Sequence, residues 1–154
     1  MEPKATRHQQ FIDQNYSKQG IIREYIEDCR YAAVLLYESH VQHTKYVDCK
    51  FSSVNWRHSA FKNVEFRNCI FDKVDFSGSE FISCKFIDCV WQDVSIDQCK
   101  VGVKKLDLTG TKFGVVVGMA MLAGHELTYE QAIELLPALL HEKDITIADD
   151  TDND

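Results

Sequence analysis

Starting at Tyr46 and moving five residues at a time, the chain reads Phe51, Trp56, Phe61, Phe66, Phe71, Phe76, Phe81, Phe86, Trp91, Ile96 and Val101; moving backward it reads Val41, Leu36, Tyr31 and Ile26. Every one is large and apolar. A helix repeats its apolar face about every 3.6 residues and a strand every two, so neither element produces a period of five. The residues two places before these centres sort by type at a spacing of twenty. One column is Cys29, Cys49, Cys69, Cys89; the next is Val34, Val54, Val74, Val94; a third is Ser39, Ser59, Ser79, Cys99; the fourth is Thr44, Val64, Cys84. Residues twenty apart therefore take equivalent places on successive turns of a solenoid with four five-residue sides, its backbones about 4.8 Å apart. The small and the large residue of each unit point inward, because two large side chains per side would overfill a narrow core. The remaining positions are mostly Asp, Asn, Lys, Arg, Ser and Gln and face water.

Units such as Cys49-Lys50-Phe51, Val74-Asp75-Phe76, Ser79-Glu80-Phe81 and Cys84-Lys85-Phe86 resemble the pentapeptide-repeat family, whose units read approximately Ala-(Asp/Asn)-Leu-x-x with a Phe or Leu centre. The resemblance runs from Ile26 to Val101 and implies an all-β solenoid, a right-handed quadrilateral β-helix of about four to five 20-residue turns with a C-terminal amphipathic capping helix. Upstream, the centres continue as Phe11, Tyr16 and Ile21, but their partners are Gln9, Gln14 and Gln19, too polar for a tight interior. Residues 1–25 are thus expected to form an N-terminal cap or imperfect first turn, and residues 26–113 the solenoid. Leu106-Asp107-Leu108 and Thr111-Lys112-Phe113 fit the motif after a two-residue slip near Gly102, which predicts a bulge before a last partial turn.

Residues 114–147 are expected to form a capping or dimerisation segment with a helix near 128–141. Thr128 with Gln131 three residues on is a capping-box pattern. On a helical wheel Tyr129, Ala132, Ile133, Leu135, Leu136, Leu139 and Leu140 share one face, opposite Glu130, Gln131, Glu134 and His141. Pro137 is expected to kink or restart the helix. Similar helices in pentapeptide-repeat proteins cap the solenoid or pair two subunits. The face made by Tyr129, Ile133, Leu135, Leu136, Leu139 and Leu140 is thus expected to cover the last sheet edge or to join a homodimer.

The net charge of −7 bears on partners only once divided. Residues 1–43 sum to −1, residues 44–113 to +2 and residues 114–154 to −8. A near-neutral body is not that of a protein that binds nucleic acid through bulk positive charge. The stretch 148–154 lacks large apolar residues and reads as a disordered acidic tail. The longest weakly polar run, Phe113 to Gly124, is 12 residues, too short for a membrane span. With no apolar leader after Met1, a cytoplasmic location is expected.

Chemistry is sparse. Six cysteines suggest a disulfide framework, but Cys29, Cys49, Cys69 and Cys89 stack with parallel Cβ vectors about 4.8 Å apart, wider than a disulfide prefers. They are expected to be buried thiols. There is no C-x-x-C; His40, His43 and Cys49 form the nearest ligand cluster, with Cys49 pointing the wrong way. His58 and Ser59 are adjacent, yet Ser59 belongs to the inward column, so no nucleophile with its base is assembled. The reading is of a protein without enzymatic activity, metal or cofactor. Faces remain. Ile70, Ile82, Ile87 and Val90 are apolar at outward positions and form a candidate contact patch. Asp28, Asp48, Asn68 and Asp88 form a ledge of residues suited to corners. Lys45 and Lys85 line up with Lys105 in a basic column broken by Glu65.

Two functions follow. One is a protein–protein interaction module presenting a rigid face to a protein partner. The other comes from the resemblance: some pentapeptide-repeat proteins bind DNA gyrase or topoisomerase IV by imitating duplex DNA and so protect them. Mimicry asks for a long acidic solenoid, often doubled through a C-terminal dimer, and the body at +2 lacks that field.

Overall fold

In the computed structural model, which describes residues 3–102 and 104–148, the chain is a right-handed quadrilateral β-helix closed at its C-terminal end by one helix. The first turn holds β1 (Lys4–Arg7), β2 (Gln10–Ile12) and β3 (Gly20–Ile22); the second holds β4 (Glu24–Glu27), β5 (Arg30–Leu35) and β6 (His40–Gln42). The third holds β7 (Lys45–Val47), β8 (Lys50–Asn55) and β9 (Ala60–Lys62); the fourth holds β10 (Glu65–Arg67), β11 (Ile70–Asp75) and β12 (Glu80–Ile82). The fifth holds β13 (Lys85–Ile87), β14 (Val90–Ser95) and β15 (Lys100–Val101), and β16 (Lys112–Val117) belongs to the sixth. Three sides are parallel sheets ordered β1-β4-β7-β10-β13, β2-β5-β8-β11-β14-β16 and β3-β6-β9-β12-β15. The fourth side stacks without strands, through bonds such as Leu36 N–H to the Asn55 carbonyl and Trp56 N–H to the Asp75 carbonyl.

The solenoid thus has about six turns, not four to five. The difference lies at both ends. Residues 4–22 are three strands in register with the next turn, for example Phe11 with Tyr31 and Ile21 with Val41. Polar glutamines were no obstacle because the first turn is terminal: Gln9 and Gln14 are exposed and donate to the Arg7 and Ile12 carbonyls. At the other end the two-residue slip is present, since Val90 pairs with Lys112 and Trp91 with Phe113, twenty-two residues on.

The register stacks like upon like. Tyr31, Phe51 and Phe71 lie ring over ring at 5.0 Å, and Tyr46, Phe66 and Phe86 at 4.9 and 4.8 Å, the spacing of the strands that carry them. Trp56 and Trp91 are fully buried, and their indole N–H groups meet no conventional acceptor among the described residues. Nearly perpendicular aromatic rings surround them, Phe66 for Trp56 and Phe86 and Phe113 for Trp91.

The small inward residues do more than save space. Several reach the carbonyl of an inward centre one turn below: Cys49 to Ile26 (3.5 Å), Cys69 to Tyr46 (3.5 Å), Cys89 to Phe66 (3.2 Å), Ser59 to Leu36 (3.1 Å) and Ser79 to Trp56 (2.9 Å). These corner carbonyls are buried and need donors. The Val column stands at the one corner crossed by the six-residue strands β5, β8, β11 and β14, where strand pairing continues past Val34, Val54, Val74 and Val94. Cys84 and Cys99 share the role; burial pushes their thiols up to about 11, so they stay protonated and able to donate.

At most corners the residue just before the small one has a left-handed backbone. Asp28, Asp48, Asn68 and Asp88 have φ of 50 to 56°, and Ala33, Ser53 and Lys73 lie at 54 to 56°. The acidic ledge is therefore a set of corners. A left-handed L-residue costs about 1–2 kcal/mol, least for Asn and Gly. Exposed Lys73 replaced by Asn should raise stability by about 0.5–1 kcal/mol; no shift in the denaturation midpoint would show the corner to be unstrained.

Candidate functional site

After β16 the chain makes a 3-10 turn over Met119–Leu122 and then α1 (Tyr129–Glu142). Thr128 and Gln131 form the capping box, and the helix continues unbroken through Pro137. Its polar stripe, not its apolar face, meets the solenoid. Gln131 Nε2 donates to the Leu108 and Thr111 carbonyls (2.8 and 2.9 Å), and Gln131 is buried. The Glu134 carboxylate accepts the Phe113 N–H (2.7 Å), and the Glu142 carboxylate accepts the Gly118 and Met119 N–H groups (2.8 and 3.2 Å). Residues 131, 134, 138 and 142 lie on one side of a helix, so a single stripe reaches from the turn before β16 to the residues just after it.

This corrects the covering role expected of the apolar face. Of Tyr129, Ile133, Leu135, Leu136, Leu139 and Leu140, only Leu135 is buried. Tyr129 is 83% exposed and Ile133 53%, with Leu136 and Leu139 also exposed and Leu140 half-buried. The physical reason is that an open last strand offers unpaired N–H and C=O groups, which only polar side chains satisfy. Gln131, Glu134 and Glu142 were legible as a polar stripe at helical spacing, but their task as edge partners was not.

His125 sits beside this junction. Its Nε2 accepts the Leu106 N–H (3.1 Å), and burial, with the nearby Lys105 ammonium, holds its pKa below the ordinary imidazole value. Lys105 does not continue the Lys45–Lys85 column, because the inserted residues bring Asp107 beside Lys85 instead.

The four aliphatic residues of the solenoid body are not gathered. Ile70 on β11 and Val90 on β14 are register partners and adjacent, Ile70 being 37% exposed. Ile87 lies on β13 in a different sheet and is only 9% exposed. The sixth turn is bonded directly above it, through Phe86 N–H to the Asp107 carbonyl and Asp88 N–H to the Thr109 carbonyl. Ile82 lies on β12 in the third sheet, against Gly102. Among the described residues no group of three or more His, Cys, Asp or Glu side chains is placed to hold a metal, and no helix is long and apolar enough to cross a membrane. The outward face of α1 has no partner among the described residues.

Comparison with known proteins bears on this arrangement. Residues 47–93 match the family model of pentapeptide repeats in eight copies. No curated protein matches the chain in sequence. Among solved structures, trypsin-treated QnrB1, a plasmid-mediated fluoroquinolone resistance protein, is similar over 73% of this chain and 54% of its own, at 13% identity and a TM-score of 0.59. The chain thus spans about half the length of that structure. A pentapeptide repeat protein from the Arabidopsis thaliana thylakoid lumen matches over 84% of this chain and 76% of its own, at 12% identity and a TM-score of 0.41. Rfr23 from the cyanobacterium Cyanothece 51142 matches over 75% and 88%, at 9% identity and a TM-score of 0.40. At such identities the likeness to QnrB1 is one of fold.

Proposed function

We propose that this chain, whose residues 47–93 match the family model of pentapeptide repeats, is a non-enzymatic, cytoplasmic protein–protein interaction module that works as a homodimer joined through α1. The outward stripe Tyr129, Ile133, Leu136 and Leu139 carries this reading. Those residues follow helical spacing, stand together on one exposed face, and are not consumed by capping. Pairing two such faces gives a symmetric contact and leaves the sheets of both solenoids available to a protein partner. Light scattering should give about 35 kDa, twice the chain mass of 17.7 kDa. Replacing Ile133 and Leu136 together by Asp should return the mass to 17.7 kDa with little change in melting, because neither side chain is buried in the monomer. A wild-type chain that scatters as a monomer at high concentration would reject the dimer.

The second reading, a DNA mimic that protects DNA gyrase or topoisomerase IV, draws on the fold shared with QnrB1 and on the doubled length a dimer would have. The charge weighs against it: residues 4–117 hold sixteen basic and fourteen acidic side chains, a net of +2. Capture with purified gyrase subunits separates the two readings.

A further inference from the structure

The two ends of the solenoid are unlike. At one, Gln131, Glu134 and Glu142 occupy the last strand's edge. At the other, β1, β2 and β3 are the terminal strands of their sheets, and among the described residues nothing pairs with their outer edges. Phe11, Tyr16 and Ile21 are only partly buried inside this mouth, and Ile12 and Ile22 stand exposed on its rim. An unpaired edge with apolar surface beside it is a template for an added strand.

Charge selects which strand. Residues 3–23 carry Lys4, Arg7, Lys18 and Arg23 against Asp13 alone. Lys4 and Arg7 lean on Glu24 and Glu27 of the second turn, whereas Lys18 and Arg23, which flank β3, make no ion pair among the described residues. Two such ends brought together would set these cations against their own copies. The same cations favour an acidic strand.

The chain carries one. Ile145-Thr146-Ile147-Ala148 is a mostly β-branched run with Ile145 and Ile147 at alternate positions, and acidic residues follow it at Asp149 and Asp150. Ile145 is 54% and Ile147 60% exposed, an apolar pair left uncovered by the described residues. It cannot reach its own first turn. Ile145 N–H is bonded to the Leu140 carbonyl (2.8 Å), and α1 is tied to the last turn by Glu142. The first turn lies five strand spacings away, about 24 Å, whereas Ile147 extends only about 7 Å beyond Ile145.

We propose that segment 145–148 of one copy adds as a strand to the β3 edge of a second copy, which sets the acidic residues that follow it in sequence against Lys18 and Arg23. The contact joins unlike surfaces, so it links copies head to tail and does not depend on the pairing of α1 faces. A fluorescent peptide of residues 144–154, titrated with the full chain and followed by anisotropy, should saturate with a Kd of about 10–100 µM. Binding should weaken about tenfold or more in the Lys18→Glu, Arg23→Glu double variant, in about 0.5 M salt, and for a peptide carrying Ile145→Ser and Ile147→Ser. Glu is tolerated at the Lys18 corner, because Glu38 turns the same corner one turn above with φ of 54°. Saturable binding lost on charge reversal supports the proposal. No saturation by about 1 mM peptide, or binding indifferent to the reversal, overturns it, and either result leaves the light-scattering test of α1 untouched.

Discussion

Replacing Phe66 by Ala is expected to lower stability by about 3–5 kcal/mol, a large part of the 5–15 kcal/mol typical of a whole domain. Phe66 is fully buried near the middle of the solenoid. Its ring stacks on Tyr46 below (4.9 Å) and Phe86 above (4.8 Å), and its edges meet Phe51, Trp56 and Phe71. In an ordinary core the neighbours shift to fill part of such a gap. Here β10 is held in register by β7 on one side and β13 on the other, which fixes the spacing of the rings above and below the void. Urea unfolding followed by circular dichroism measures the loss directly. A cost below about 1 kcal/mol would mean that the stack slides to close the space, and the rigidity invoked for an interaction face would go with it.

Gln131→Met is expected to cost about 2–4 kcal/mol, although it removes no apolar surface and keeps the length of the side chain. The substitution strips both donors from the Leu108 and Thr111 carbonyls at a buried site, and the acceptor from the more exposed Thr128 N–H. Native-state hydrogen exchange gives the location of the damage: amides of α1 and β16 should lose protection while those of β8 and β11 keep theirs. Equal loss everywhere would show that the cap is not a separate stabilising element. A Met that is tolerated without loss would leave the capping role to Glu134, Glu142 and Leu135.

The period of five and its sorting at twenty were enough to place every inward ring from Ile26 to Val101, because a stacked parallel register forces like residues into columns. The two-residue slip near Gly102 was legible for the same reason: Leu106, Leu108, Thr111 and Phe113 resume the pattern out of step. The first turn was harder. Its glutamines look wrong for a core, but among the described residues no turn stacks beneath Gln9 and Gln14, which lets them face water. The left-handed corners left little mark, since His43, Ala33, Glu38, Ser53 and Lys73 all occupy them and share no side-chain chemistry. The orientation of α1 was the largest gap. A helical wheel finds the apolar face of Ile133 and Leu136, but which face turns inward depends on what it must meet. Here it meets a strand edge that requires hydrogen bonds, and the wheel carries no information about that edge.

The slip itself has a consequence for how this molecule can be altered. Between Gly102 and Leu106 the chain takes up two residues beyond the twenty-residue repeat, yet Trp91 still lies against Phe113 and Val94 still pairs with Val116. Stability in a solenoid is summed over neighbouring turns, so a corner that lengthens without disturbing the interface on either side is uncoupled from the core. Lys104 and Lys105 there are exposed. That corner is a natural graft point: a foreign loop spliced in after Gly102 would be displayed at the edge of a rigid rod, with five turns of register below it unchanged.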